Sequence, residues 1–205
     1  MKKIIIGLVA LSSISAYSNQ FEYGRTLIGE DSKSAENTFI EIKGDAASTL
    51  FDSLRTDIVQ SIDGSRLTKR GANIICDRGD RNNQMYNSCL LNLNKSGSLN
   101  PLKITDIGFP KAPEYGLAIT SVNEADGSVS VVLEHTDDII FKGADTAAYI
   151  FKKLTVSKKE VVNNENDLLV SKTGQNISCS KSVYFSSLKY SCNVKISNKG
   201  NALNL

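Results

Sequence analysis

The octapeptide KRGANIIC, Lys69 to Cys76, returns as KTGQNISC, Lys172 to Cys179, with Lys, Gly, Asn, Ile and Cys in the same five places. The register extends outward: Ser88, Gly97 and Leu102 match Ser191, Gly200 and Leu205 without a gap. Each octapeptide ends on a cysteine whose next cysteine stands 13 positions on, Cys89 after Cys76 and Cys192 after Cys179. Upstream, Asp45, Ala47, Phe51 and Leu54 are answered by Asp145, Ala147, Phe151 and Leu154, in a register three residues shorter. Identities kept in register over such a span read as a tandem duplication of one supersecondary unit.

Periodicity sketches the unit. A short apolar run, Phe39 to Ile42 or Ile139 to Phe141, reads as a strand that ends at Lys-Gly. The Asp that follows suits a helix N-cap. Ala46, Ala47, Leu50, Phe51, Leu54, Ile58 and Ile62 then share one helical face, with Gly64 as the stop. In the second copy Ala147, Ile150, Phe151 and Leu154 repeat the face, and the β-branched Val156, Val161 and Val162 end it sooner. Short β-like runs split by Gly turns complete each unit: LTKRG, NIIC, YNSCLLNLN and SLNPL, then LLVSKTG, NISC, LKYSCNVKIS and ALNL. The expected class is therefore α+β, with each unit packing one helix on its own mainly antiparallel sheet and holding one disulfide. Residues 19–102 form the first unit and 103–205 the second. The alternating stretch about Asp126-Gly127, near 117–135, adds a hairpin to the second unit or bridges the two. Residues 19–37 show little pattern, and their second half reads as loop.

Residues 1–18, MKKIIIGLVALSSISAYS, have the basic start, short apolar core and small-residue end of a secretory signal peptide, with Ala16 and Ser18 before the cut. A periplasmic or secreted protein follows. No later run approaches the roughly 20 apolar residues of a membrane helix. The whole chain carries 24 basic and 22 acidic residues, and Lys2 and Lys3 leave with the leader. A balanced mature chain has no broad positive field for nucleic acid or anionic lipid.

In an exported chain the duplicated spacing pairs Cys76 with Cys89 and Cys179 with Cys192. Each closure contributes roughly 3 kcal/mol in the chain-entropy model. The spacing is not that of a redox CxxC, and the single histidine of the chain leaves a zinc site short of ligands, so no metal and no cofactor is expected. That histidine, His135, stands beside Glu134, Asp137 and Asp138 and is the general base of the one catalytic reading, a small periplasmic hydrolase. The chain has no nucleophile elbow to accompany it.

Arg78-Gly79-Asp80 lies between the first two cysteines and resembles the integrin-binding loops of disintegrin-like proteins. The second inter-cysteine stretch, SKSVYFSSLKYS, offers Tyr184, Phe185 and Tyr190 as aromatic anchors of a binding surface. Two stapled helix-on-sheet units behind a leader also resemble, in layout, secreted proteins of the β-lactamase-inhibitor type. From that layout no residue role is carried over. The function expected is an exported, non-catalytic protein-binding module, an enzyme inhibitor being one form, that meets an unidentified protein partner through Tyr184, Phe185, Tyr190, Arg78 and Asp80. The alternatives are the His135 hydrolase and a structural protein of the cell envelope.

Overall fold

The computed structural model describes residues 22–31, 34–81, 84–102, 114–134, 146–156, 158–164, 167–184 and 187–205. The leader, the 139–141 strand, His135 and Phe185 of the sequence reading lie outside them.

Twelve strands and two short helices make up the described chain. In order they are β1 (Glu22–Asp31), β2 (Ser34–Gly44), α1 (Asp45–Ser53), β3 (Ile58–Gln60), β4 (Arg66–Arg70), β5 (Ile74–Arg81), β6 (Gln84–Asn94), β7 (Glu114–Val122), β8 (Val129–Glu134), α2 (Thr146–Lys153), β9 (Lys158–Asn164), β10 (Asp167–Thr173), β11 (Ile177–Tyr184) and β12 (Ser187–Ile196). All twelve strands hydrogen-bond into one antiparallel sheet, in the order β3-β4-β5-β6-β2-β1-β7-β8-β12-β11-β10-β9, which curves as a half-barrel.

This corrects the expected class. The chain is mainly β, and it does not form two tandem α+β units with a helix on a sheet of its own. Two features rule that out. First, β1 pairs with β7 from Glu22 opposite Thr120 to Ile28 opposite Glu114, so no sheet edge separates the halves. Second, α1 touches β7 as well as β1, β2, β5 and β6, and α2 touches β1 as well as β7, β8, β11 and β12. Both helices thus lie across the join and share one apolar cluster, which runs from Ile40, Leu50 and Leu91 to Val131, Ile150 and Val194. Burying both halves in a single core removes more apolar surface from water than two thin cores of about half the size.

The second half of residues 19–37, read as loop, belongs to strands β1 and β2: Ile28 to Glu30 pair with Ile40 to Thr38 of β2, and Asn37 pairs with Asn94 of β6. The first half is strand as well, with Gly24 to Leu27 paired to β2 on one side and to β7 on the other. Helix α1 is shorter than expected. It stops at Ser53, and the next residue, Leu54, is extended with φ −70° and ψ 122°. Ile58 and Ile62 are not on its face: Ile58 belongs to β3 and is 54% exposed, and Ile62 is fully exposed. β-branched Ile58 and Val59 favour the pleated backbone there. Asp45 is the first helical residue rather than the cap, which is Gly44 at φ 80°. Its carboxylate still stands at the positive end of the helix dipole. The hairpin about Gly127 (φ 67°) is β7–β8, and it links β1 to β12.

Candidate binding surface

Every identity of the octapeptide has a structural task. The Lys69 ammonium donates to the carbonyls of Phe51 (2.9 Å) and Leu54 (2.7 Å), the open end of α1, and lies 4.8 Å from the Phe51 ring centre. Lys172 repeats this on α2, at 2.8 Å from Phe151 O and 2.9 Å from Leu154 O, over the Phe151 ring. A cation here meets unsatisfied carbonyls and the negative end of the dipole at once. Gly71 packs against Gly200, and Gly174 packs against Gly97, so closely that a side chain on either would meet backbone. The two contacts cross between the halves. Asn73 seals one of them: its N–H donates to Gly200 O (3.0 Å), its side chain donates to Leu99 O (2.8 Å), and its Oδ1 accepts from Ala202 N (3.0 Å). Asn176 seals the other, with its N–H on Gly97 O (2.9 Å), its Oδ1 accepting from Leu99 N (3.0 Å) and its Nδ2 donating to Leu203 O (3.3 Å). Ile74 and Ile177 are fully buried. Cys76–Cys89 and Cys179–Cys192 are disulfides between directly opposed residues of β5–β6 and β11–β12. The motif that dominates the sequence is spent on holding the fold.

The inter-cysteine segments are hairpins. Strand pairing continues to Arg81 opposite Gln84 and to Tyr184 opposite Ser187. Arg78-Gly79-Asp80 therefore lies in β5, unlike the loops it resembles in sequence. Gly79 is buried there, and a Cβ on it would stand 2.6 Å from Ser65 O. Arg78 is committed inward to α1: Nη1 and Nη2 bind the Asp52 carboxylate at 2.8 and 2.9 Å, Nη2 also reaches Ser48 Oγ at 2.8 Å, and the guanidinium sits 4.3 Å from the Phe51 ring centre. That pairing holds the Asp52 carboxyl below the usual carboxylate range. Asp80 is exposed, so the two charged residues of the tripeptide are not presented together.

Tyr190 is only 8% exposed and packs its ring on Phe151 at 5.5 Å between centroids, which makes it core rather than anchor. Tyr184 is the last residue of β11. What the chain does expose is apolar side chains on its strands. Met85 (70%) and Leu188 (41%) stand beside the hairpin ends, and Ile58, Val59 (64%), Val161 (55%) and Val162 (53%) stand on β3 and β9, the two terminal strands of the sheet. Composition alone does not single them out, because their exposure follows from strand order.

Among the described residues no group of three or more His, Cys, Asp or Glu is placed to hold a metal ion, and no helix is long and apolar enough to cross a membrane. Thr38, Leu93, Lys95, Ile150 and Leu154 line a small depression that has room for about one water. Two disulfides fit an oxidising, extracellular or periplasmic compartment. Comparison with protein-family models, with curated proteins and with solved structures gives no match.

Proposed function

We propose that this chain is an exported, non-catalytic protein-binding module whose partner surface lies at the ends of the β5–β6 and β11–β12 hairpins. The observation that supports this is the exposure of Met85 and Leu188 at corresponding places on two hairpins, each stapled by a buried disulfide. A rigid stapled scaffold that offers apolar side chains lowers the ordering cost of binding. Tyr184, the last residue of β11, and Phe185, which follows it in the sequence, are the further members proposed for that surface in the second hairpin.

Affinity capture with oxidised protein, residues 19–205, from the envelope fraction and culture fluid of its source tests the reading. A saturable partner is expected, with Tyr184→Ala/Phe185→Ala/Leu188→Ala weakening it by more than about 1 kcal/mol while the disulfides and thermal transition stay unchanged. An equal affinity in the variant would remove the hairpin from the surface. Turnover of an ester, peptide or glycan substrate that His135→Ala abolishes would replace the reading with catalysis.

A further inference from the structure

The two halves set α1 and α2 on their hairpins in the same way. Lys69 and Lys172 donate to the matching carbonyls of Phe51 and Phe151, and Cys89 Sγ and Cys192 Sγ lie 3.5 and 3.6 Å from the carbonyls of Ala47 and Ala147. In that common frame Ser48, Asp52, Arg78 and Asn87 of the first half correspond to Ala148, Lys152, Lys181 and Tyr190 of the second. The first set is closed on itself. The Asp52 carboxylate accepts from both Nη atoms of Arg78, Ser48 Oγ stands 2.8 Å from Nη2, and Asn87 Oδ1 accepts from Nε at 2.8 Å. The second set contains no acid. Tyr190 covers the Phe151 ring as Arg78 covers that of Phe51, and Lys152 and Lys181 form no ion pair or hydrogen bond with any described residue.

The surface around these two cations is apolar. Lys172, Lys181 and Tyr190 belong to the alternating set that faces α2, and Leu168, Val170, Val183 and Leu188 belong to it by register. Leu188 is 41% exposed, and Leu168, Val170 and Val183 are half-buried. The acids of the neighbouring strands, Glu134, Glu160 and Asp167, fall in the other set. The remaining lysines are engaged: Lys172 on the end of α2, Lys189 of the other set with Glu134 at 3.6 Å, and Lys153 at 5.5 Å from the Tyr149 ring centre.

We infer that α2 and the second hairpin receive an acidic segment of a partner protein with apolar flanks, whose carboxylate takes, beside Lys152 and Lys181, the place that Asp52 fills in the first half. The inference rests on the hairpin surface proposed above and names the chemistry of its partner. A carboxylate there accepts charge-assisted hydrogen bonds from two ammonium groups that have no counter-charge within the chain. Apolar side chains on either side of it cover Leu188 and its neighbours, which the backbone of a nucleic acid or polyphosphate would leave in water. Two lysines on a chain of balanced charge suit one or two carboxylates rather than a polyanion.

Fluorescence anisotropy provides the test, with a labelled seven-residue peptide of alternating leucine and glutamate titrated by the oxidised chain, residues 19–205, at low salt. Saturable binding is expected, and leucine–lysine and serine–glutamate peptides of the same length are expected to bind at least about tenfold more weakly. Lys152→Asp/Lys181→Arg rebuilds the ion pair of the first half within the chain. It is expected to weaken the leucine–glutamate peptide at least about tenfold while melting no lower than the unchanged chain. Lys152→Gln/Lys181→Gln, which removes the charges without supplying a pair, is expected to weaken it as much. No saturable binding of the leucine–glutamate peptide, or equal binding by both variants, overturns the proposal. So does serine–glutamate peptide or polyphosphate binding as tightly as leucine–glutamate, which would reduce the site to a general anion contact. The hairpin reading is judged apart from this: a natural partner weakened by Tyr184→Ala/Phe185→Ala/Leu188→Ala but held equally by Lys152→Asp/Lys181→Arg keeps that reading and overturns the acidic chemistry alone.

Discussion

The Cα of Gly200 stands 2.3 Å from where a Cβ on Gly71 would be, and the Cα of Gly97 stands 2.5 Å from the same point on Gly174. Each contact ties a turn of one half of the chain to a turn of the other, and each is bordered by a backbone hydrogen bond from an asparagine two residues on. These crossed contacts, with the β1–β7 pairing, make one folding unit of a sequence that reads as two.

Gly71→Ala and Gly174→Ala should each cost about 1–3 kcal/mol, since the obstructing atoms are backbone and cannot rotate away. Urea unfolding followed by circular dichroism measures this. A cost below about 0.5 kcal/mol would mean that the turns separate freely.

Asn176→Ala removes the acceptor of Leu99 N, a buried N–H, and the donor to Leu203 O. Stranding them is expected to cost about 1–3 kcal/mol, with the C-terminal residues 201–205 losing amide protection first. Unchanged protection at Leu203 and Leu205 would contradict the role given to this side chain.

The sequence disclosed its covalent framework because the paired cysteines are strictly spaced, but it misplaced the helix ends: Gly44 rather than Asp45 is the cap of α1, and Lys69 and Lys172, distant along the chain, serve the carbonyls at the ends of α1 and α2. It hid the joined sheet because the deciding contacts are long-range. β1 carries no alternating apolar pattern, and its Thr26, fully buried, donates to Thr146 at 3.0 Å across the join. One signal was there to be found. Glu22-Tyr23-Gly24 recurs as Glu114-Tyr115-Gly116 at the starts of β1 and β7, and both glycines sit against a helix start, Ala46 in one case and Thr146 in the other. Strand order, which decides whether Val161 or Tyr190 faces solvent, leaves no trace in spacing. The aromatic stretch therefore suggested an anchor where the fold uses Tyr190 as core.

Lys172→Met keeps the stem and removes the ammonium from Phe151 O and Leu154 O. A loss of about 1–2 kcal/mol is expected, with the same for Lys69→Met. Thermal unfolding at pH 7 measures both, and a neutral outcome in either would show that water serves those carbonyls as well.

Acid should weaken the fold in a defined window. Arg78 holds the Asp52 carboxyl low, and Ser61 and Ser65 bring Asp63 to about 2. Carboxyls with lowered values bind protons more weakly when folded, so their contribution is complete above about pH 4, the unfolded value, and fades as pH falls toward 2. Tm against pH should show this acid limb, and Arg78→Met should reduce the Asp52 part of it. A limb of equal depth in the variant would assign the acid sensitivity to other groups.

The most direct test of the single-sheet account is native-state hydrogen exchange on the oxidised chain, comparing amides of β5–β6 such as Cys76 and Leu91 with those of β11–β12 such as Cys179 and Val194. The account predicts that both sets converge on one opening free energy as denaturant rises, and that Gly174→Ala lowers both by the same amount. Two separate opening energies, with Gly174→Ala lowering only the β11–β12 set, would contradict it.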